Sequence, residues 1–349
     1  MKRDLHYLLS LLLLVTLTLS GCKKEDDDDT PVPPSSSSTV LVSCEGSFLA
    51  SNASLSAYDT EGGTVTDNVF ESVNGYAIGD ILQSITVDGQ RIFLVVNNSG
   101  KVEVMNGETY EAELPILGLS SPRHLAKVSE AKAYVTNNSF GAGNDISILD
   151  IQNNTVSGNI DIDLDTEGIL VSGGFAYACA PYSNELQVIS TQTDQVVSTI
   201  DVGLGANHIV QDDQGDLWIL RFELDAMFAI IDMEIVQVSP ALGAVLATYQ
   251  VPQPWNYTNR LVANGSDVFV LNGDVFHVNT VNSTLEDEPV IEVGALSYGI
   301  GVDPQNGDIY IGEASGLGLA GSVYRFNSAY QPLDTVTVGV GPNGFHFFD

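Results

Sequence analysis

Tyr134-Val135-Thr136-Asn137-Asn138 is the stretch whose reading decides the fold. A short apolar strand carrying an aromatic runs into a polar loop, and a second strand follows at Asp145-Ile146-Ser147-Ile148-Leu149-Asp150. After the turn Gln152-Asn153-Asn154, a third strand is expected from Val156 to Ile162. Short runs of β-branched and aromatic residues, bounded by Asn and Gly, are the signature of strands joined by tight turns.

The unit recurs. Its aromatic aligns as Phe93, Tyr134, Tyr177, Trp218, Phe269 and Tyr310, at spacings of 41, 43, 41, 51 and 41 residues. A period of this length, built only of short strands, matches one four-stranded blade of a propeller. A tight turn precedes each aromatic strand: Asp88-Gly89-Gln90, Ser129-Glu130-Ala131, Gly173-Gly174, Asp213-Gln214-Gly215, Asn264-Gly265-Ser266 and Gln305-Asn306-Gly307. Asp212, Asp213 and Asp216 fall at one of these turns, so turn chemistry accounts for them without a cation.

The innermost strands align as Leu82-Gln83-Ser84-Ile85, Pro122-Arg123-His124-Leu125, Thr166-Glu167-Gly168-Ile169, Ala206-Asn207-His208-Ile209, Thr258-Asn259-Arg260-Leu261 and Ser297-Tyr298-Gly299-Ile300. A seventh copy, Pro342-Asn343-Gly344-Phe345, stands near the C-terminus with no partner strands after it. The N-terminal segments Val40–Ser43, Ala53–Tyr58 and Gly63–Phe70 read as three strands lacking an innermost one. Placing the C-terminal strand inside the first blade removes two exposed sheet edges. The expectation is an all-β, seven-bladed propeller over residues 39–349, with blade five about ten residues longer between Arg221 and Pro252.

Residues 1–38 stand apart. A basic start, Met1-Lys2-Arg3, leads into a short Leu-rich run that ends at Leu19-Ser20-Gly21-Cys22. The run is too short for a stable span and reads as a secretory signal covering residues 1–21. Its end resembles the lipobox of bacterial lipoproteins, which implies lipidation of Cys22; an ordinary signal peptide with a chance Cys is the alternative. Residues 22–38 continue with an acidic block, Glu25 to Asp29, then Pro and Ser, a composition suited to a solvated tether. An acidic run after the lipidated Cys resembles the surface-export signal of Bacteroidota lipoproteins, implying an outer-membrane, outward-facing location; a periplasm-facing anchor is the alternative.

Four of the twelve basic residues and six of the 45 acidic ones precede residue 39, leaving eight and 39 in the propeller. Such a charge repels nucleic acid and anionic membranes, so both are excluded as partners. Cys44 and Cys179 lie in apolar strands of distant blades and read as buried thiols.

Loops leading into the innermost strands, and loops joining second to third strands, should gather on one face around the channel. That face would present Gln83, Arg123, Glu167, Asn207, Asn259, Tyr298 and Asn343, one per blade, with Tyr182, Phe222, Trp255, Tyr257 and Arg260 beside them. The loop carrying Phe48 and the one carrying Phe140 belong to the same face. Aromatics with amides suit a sizeable, partly apolar ligand. A solvated channel rim is the plain alternative. Arg123, Arg221 and Arg260 are three of only eight basic residues, and their placement there suits carboxylate, phosphate or carbonyl groups; use in packing the blades is the alternative for each. His124 and His208 share a repeat position and His346 lies on the closing strand; hydrogen-bonded histidines near the channel are favoured over metal ligands. Asp161-Ile162-Asp163-Leu164-Asp165 reads as an outer strand with one solvent face. No catalytic motif stands out, and neither a metal nor a cofactor is expected.

Tyr134-Val135-Thr136-Asn137 is the signature of the YVTN propeller repeat, and Leu186–Thr191, Val196–Gly203 and Val338–Gly344 resemble the remainder of that repeat. Asn52–Asp59 and Asn97–Val104 resemble the DUF5074 and YncE-like surface lipoproteins of Bacteroidota. Some similar lipoproteins capture cobalamin and sit on TonB-dependent transporters. The resemblance therefore implies a surface protein that binds a small nutrient, a corrinoid first, and hands it to such a transporter. A protein-interaction or adhesion module is one alternative. A metal-dependent lactonase or quinoprotein-like enzyme is another.

Overall fold

A computed structural model describes residues 38–139, 145–316 and 318–348. The signal, Cys22, the acidic tether and Phe140 therefore lie outside the described residues. Seven four-stranded antiparallel sheets form the propeller.

From the channel outward, blade 1 comprises Pro342–Phe347, Thr39–Cys44, Ser54–Asp59 and Thr64–Thr66. Blade 2 is Leu82–Asp88, Arg91–Val96, Lys101–Asn106 and Ile116–Leu117; blade 3 is Pro122–Lys127, Lys132–Asn137, Ile146–Asp150 and Thr155–Ile160. Blade 4 is Ile169–Ser172, Phe175–Ala178, Glu185–Ser190 and Gln195–Asp201; blade 5 is Ala206–Gln211, Leu217–Leu224, Ile230–Ser239 and Ala244–Gln250. Blade 6 is Arg260–Asn264, Asp267–Asn272, Asp274–Asn279 and Thr284–Leu285; blade 7 is Ser297–Val302, Ile309–Glu313, Ala320–Phe326 and Pro332–Val340.

The repeat follows from packing. In each blade the second strand is covered on both faces, so it reads as an almost unbroken apolar run, whereas the outermost strand of blade 4 alternates with solvent. The repeated aromatic sits between its own blade and the next. Phe93 packs on Leu125 and Val135, Tyr134 on Ala176 and Ile189, and Trp218 on Val268 and Val270. Tyr310 meets Tyr58 of blade 1 at 6.4 Å in an edge-on contact. In blade 1 the equivalent position holds Leu41, which packs on Leu82 and Ile92 of blade 2. Seven such seams make one ring of cores.

Closure is as the sequence implies. Val40 pairs with Phe347, Leu41 with His346 and Val42 with Phe345. The approach to blade 7 is close: a Cβ on Gly312 would stand 2.2 Å from the Pro342 carbonyl oxygen, so no side chain fits there.

One expected strand is shorter than read and another is not a strand. In the segment Gly63–Phe70 only Thr64–Thr66 pairs, and Val69–Asn74 forms a short helix, α1. Asn68 turns left-handed (φ 55°) and breaks the strand; Val69 and Phe70 then bury against the seam between blades 1 and 2. Gly75, also left-handed, closes α1 with its N–H on the Glu71 carbonyl. Asp161–Asp165, expected as an outer strand, is instead the link from blade 3 to blade 4. Asp163 turns left-handed (φ 51°), which ends the alternation that a strand needs, and Asp165 is buried, accepting from the Ser139 N–H at 3.2 Å.

Asp212 behaves as turn chemistry predicts. Its Oδ1 accepts from the N–H groups of Gln214 and Asp216, and its Oδ2 accepts from Trp218 Nε1 at 2.9 Å. Cys44 and Cys179 are buried free thiols; burial pushes Cys44 up to about 12 and Cys179 up further, so both are inert.

Candidate ligand-binding site at the channel mouth

The strand offset that gives each blade a polar residue just before its bulky innermost one sends those polar groups to one end of the channel. There a cavity of about 440 Å³ is lined by Gln83, Arg123, Glu167, Asn207, Phe222, Tyr257, Asn259, Arg260 and Tyr298. Nine of the twelve expected ligand-binding residues thus share one space. A second cavity of about 450 Å³ abuts it, lined by Tyr182, Leu204, Leu224 and Phe228, and has Arg123, Glu167, Asn207 and Phe222 in common with the first. Below the mouth the channel narrows to a space of about 320 Å³, walled by Ile85, Ile169, Ile209, Leu261, Ile300 and Phe345. These fourth-position residues face the channel as well as the seams.

Two expected residues do other work. Trp255 lines a separate cleft with Pro252, Pro254 and Asn272; its Nε1 donates to the Val251 carbonyl at 2.9 Å, and the ring packs on the seam between blades 5 and 6. Asn343 is buried at the closure. It accepts from Ser43 Oγ at 2.6 Å and donates to the Leu82 carbonyl at 2.8 Å, so it clasps strands together while bordering the channel below the mouth.

The carboxylates and cations at the mouth are specifically paired. Arg123 donates to Glu167 at 2.8 Å, and Glu167 also accepts from Asn138 Nδ2 at 2.7 Å. Tyr298 donates to Glu45. Burial first, and then the charge of Glu45, pushes the Tyr298 phenol up, keeping it a donor. Of the two roles open to Arg221, the structure shows the packing one: it is held by Glu223 at 3.0 Å, by Asp232 at 3.2 Å and by Glu234. These bonds brace the extended hairpin of blade 5. Gly205 lies so close beneath it that a Cβ would stand 1.9 Å from the Phe222 carbonyl oxygen. The hairpin tip exposes Met227 and Phe228 (84% and 74%), and Tyr257 donates its hydroxyl to the Phe228 carbonyl.

His124 and His208 come together although their blades are not neighbours. Both line the mouth and the channel beneath it, because innermost strands converge where outer ones diverge. Each is only partly open to the channel. Burial, then Arg123 and Arg260, pushes His124 down to about 3; burial, Arg260, His124 and Arg123 push His208 well below its ordinary value. At neutral pH both are uncharged imidazoles. Among the described residues no cluster of three or more His, Cys, Asp or Glu is arranged around a cation. Phe48 and Glu45, on the loop after the second strand of blade 1, complete the mouth. Their presence follows from that loop, whereas the meeting of the two histidines had no signal beyond their shared repeat position.

A family model described as a domain of unknown function, DUF5074, matches residues 39–338. The chain belongs to that family. No curated protein matches the sequence. The DUF5074 propeller is similar to a quinonprotein alcohol dehydrogenase-like protein from Bacteroides thetaiotaomicron, at 15% identity and a TM-score of 0.68, over 89% of this chain and 78% of that one. It is similar to a putative 6-phosphogluconolactonase from Bacteroides uniformis, at 15% identity and a TM-score of 0.64, over 89% of this chain and all (100%) of the other. Apo AztD from Citrobacter koseri aligns at 11% identity and a TM-score of 0.56, over 88% and 96% of the two chains. At these identities the likeness is one of fold.

Proposed function

We propose that this DUF5074 propeller is an outer-membrane, cell-surface lipoprotein that captures a small nutrient on its channel mouth and passes it to a TonB-dependent transporter. A corrinoid is the first candidate. The observation that carries the reading is the pair of abutting cavities that share Arg123, Glu167, Asn207 and Phe222, one polar-floored and one walled by Tyr182, Leu204, Leu224 and Phe228. A ligand with an apolar body and several hydrogen-bonding arms fits that division, because aromatic walls supply area and fixed polar groups supply direction. The YncE-like layout and the Cys22 and acidic-tether signals read in the sequence support delivery at a membrane. The test is calorimetry of the protein with cobalamin, cobinamide and haem. Binding of one of them is expected, and no heat and no co-elution with any of the three sinks the capture reading. Membrane attachment should be lost in Cys22→Ala with the propeller intact.

The exposed Met227 and Phe228 at the tip of the blade-5 hairpin favour a second reading, a protein-interaction module using the same face. Retrieval of a protein partner that Phe228→Ser abolishes, without any small ligand, would support it over nutrient capture. The metal-dependent lactonase alternative asks for carboxylates converging on the channel axis. The two carboxylates at the mouth, Glu45 and Glu167, are instead paired with Tyr298 and with Arg123 and Asn138, and we propose binding rather than catalysis.

A further inference from the structure

Resting on the capture reading of the mouth, we propose that the DUF5074 site holds an oxyanion of its ligand, a carboxylate or phosphate group, against the guanidinium of Arg260, with His124 and His208 beside it.

Nearly every cation of the propeller is already paired. Of the eight Lys and Arg in the propeller, Arg91, Lys101, Arg123, Lys127, Lys132, Arg221 and Arg325 each touch a carboxylate. Among the described residues Arg260 alone has none, in a domain holding 39 Asp and Glu. Nη1 donates to the Asn259 carbonyl at 2.9 Å, and Cζ lies 5.8 Å from the centre of the Tyr298 ring. A guanidinium carries five N–H donors. The cation lies over the Tyr298 ring, and among the described residues the guanidinium makes no protein hydrogen bond besides the one to Asn259.

Surroundings decide what Arg260 can receive. The two mouth carboxylates are occupied, Glu167 by Arg123 and Asn138, and Glu45 by the Tyr298 hydroxyl. A cation is refused by Arg123 and Arg260. A neutral imidazole supplies one donor and one acceptor; the Asn259 backbone already takes a bond from His208, which leaves His124 to donate to an oxyanion without bringing charge. The groups facing these rings are Arg123, Arg260, each other and, at His208, the Asn259 backbone, with the carboxylates of Glu45 and Glu167 on the rim of the same cavity. Burial first, and then the cations among them, holds both imidazoles neutral; an arriving anion offsets the cations' share alone, so the rings meet it uncharged near neutral pH. Outside the mouth the strongly acidic surface repels free anions, so the seat works best on an anionic group carried by a larger ligand that also covers Phe222 and Tyr257.

The experiment is a titration of the wild-type protein with inorganic phosphate and, separately, with succinate, following the imidazole resonances of His124 and His208 and the heat of binding at pH 6 and pH 7.5. Saturable shifts with one or both anions are expected at both pH values, and the responding anion tells a phosphate seat from a carboxylate seat. Arg260→Gln should weaken that affinity about tenfold or more, because charge-assisted bidentate bonds are lost. Arg260→Lys should keep part of it, and Glu45→Gln should strengthen it by removing a mouth carboxylate that no cation holds. No response of either histidine to either anion in the wild type overturns the proposal, as does unchanged affinity in folded Arg260→Gln. The two readings separate cleanly. Cobalamin binding untouched by Arg260→Gln ends the anion seat and leaves capture standing, whereas an Arg260-dependent anion site with no heat from cobalamin, cobinamide or haem ends that form of capture and leaves the seat.

Discussion

Asn343 Nδ2 donates to the Leu82 carbonyl at 2.8 Å, joining the last strand of the chain to the innermost strand of blade 2. The same side chain accepts from Ser43 Oγ, so one amide ties the C-terminus to two segments about 260 and 300 residues earlier. The ring is sealed by strand pairing, with this clasp at its centre.

Removal of Asn343 to Asp349 should therefore expose sheet edges and cause aggregation. Asn343→Ala is the milder test; it strands a buried hydroxyl and a carbonyl and should cost about 1–3 kcal/mol. Size-exclusion chromatography and denaturant melts read both. A truncated protein that stays monomeric with unchanged melting would contradict the pairing.

Gly312 and Gly158 predict opposite signs. Alanine at Gly312 puts a Cβ 2.2 Å from Pro342 O, a backbone atom, so the closing strand must move and stability should fall. At Gly158 the nearest neighbour, Ile148 Cδ1, is 3.7 Å away, an ordinary contact. There alanine should be neutral or stabilising by about 0.4–1 kcal/mol through the unfolded chain.

Tyr134 combines a seam role with a polar one. Its ring is buried, its hydroxyl donates to Asp194, and Lys132 both bonds Asp194 and lies 5.5 Å from the ring centre. Tyr134→Phe should cost about 1 kcal/mol, since Asp194 keeps Lys132. Tyr134→Ala should cost about 3–5 kcal/mol by emptying the seam with blade 4. Equal effects from the two would show that the ring contributes nothing.

His124 and His208 make stability depend on pH. Both imidazoles are pushed down in the fold, His124 to about 3 from 6.5. Below about pH 6.5 the unfolded chain takes up protons that the folded one refuses, so stability falls as pH drops from there toward 3 and is fully present above it. The double variant His124→Gln, His208→Gln should show a flatter fall in melting temperature between pH 6.5 and 4 than the wild type. Parallel curves would mean that the rings titrate normally.

The period of Phe93, Tyr134, Tyr177, Trp218, Phe269 and Tyr310 is legible in the sequence because each blade repeats one local problem: a strand covered on both sides needs a continuous apolar run and a large side chain for the seam. Closure is legible too, since Pro342-Asn343-Gly344-Phe345 repeats an innermost strand that lacks local partners. The polar ring at the mouth follows from the same register. What the register does not carry is partnership. Arg123, Arg221 and Arg260 look alike along the chain, yet Arg123 is spent on Glu167, Arg221 on the blade-5 hairpin, and only Arg260 is left without a carboxylate. His124 and His208 are 84 residues apart and meet only because the channel gathers distant innermost strands. Trp255 leaves the mouth for a seam, and Val69–Asn74 forms a helix at the end of a segment read as a strand. Repeats encode contacts within a blade and with its neighbour, where spacing is constant. Charge pairing across the channel depends on distances between blades and on loops of unequal length, and the tertiary structure alone decides those.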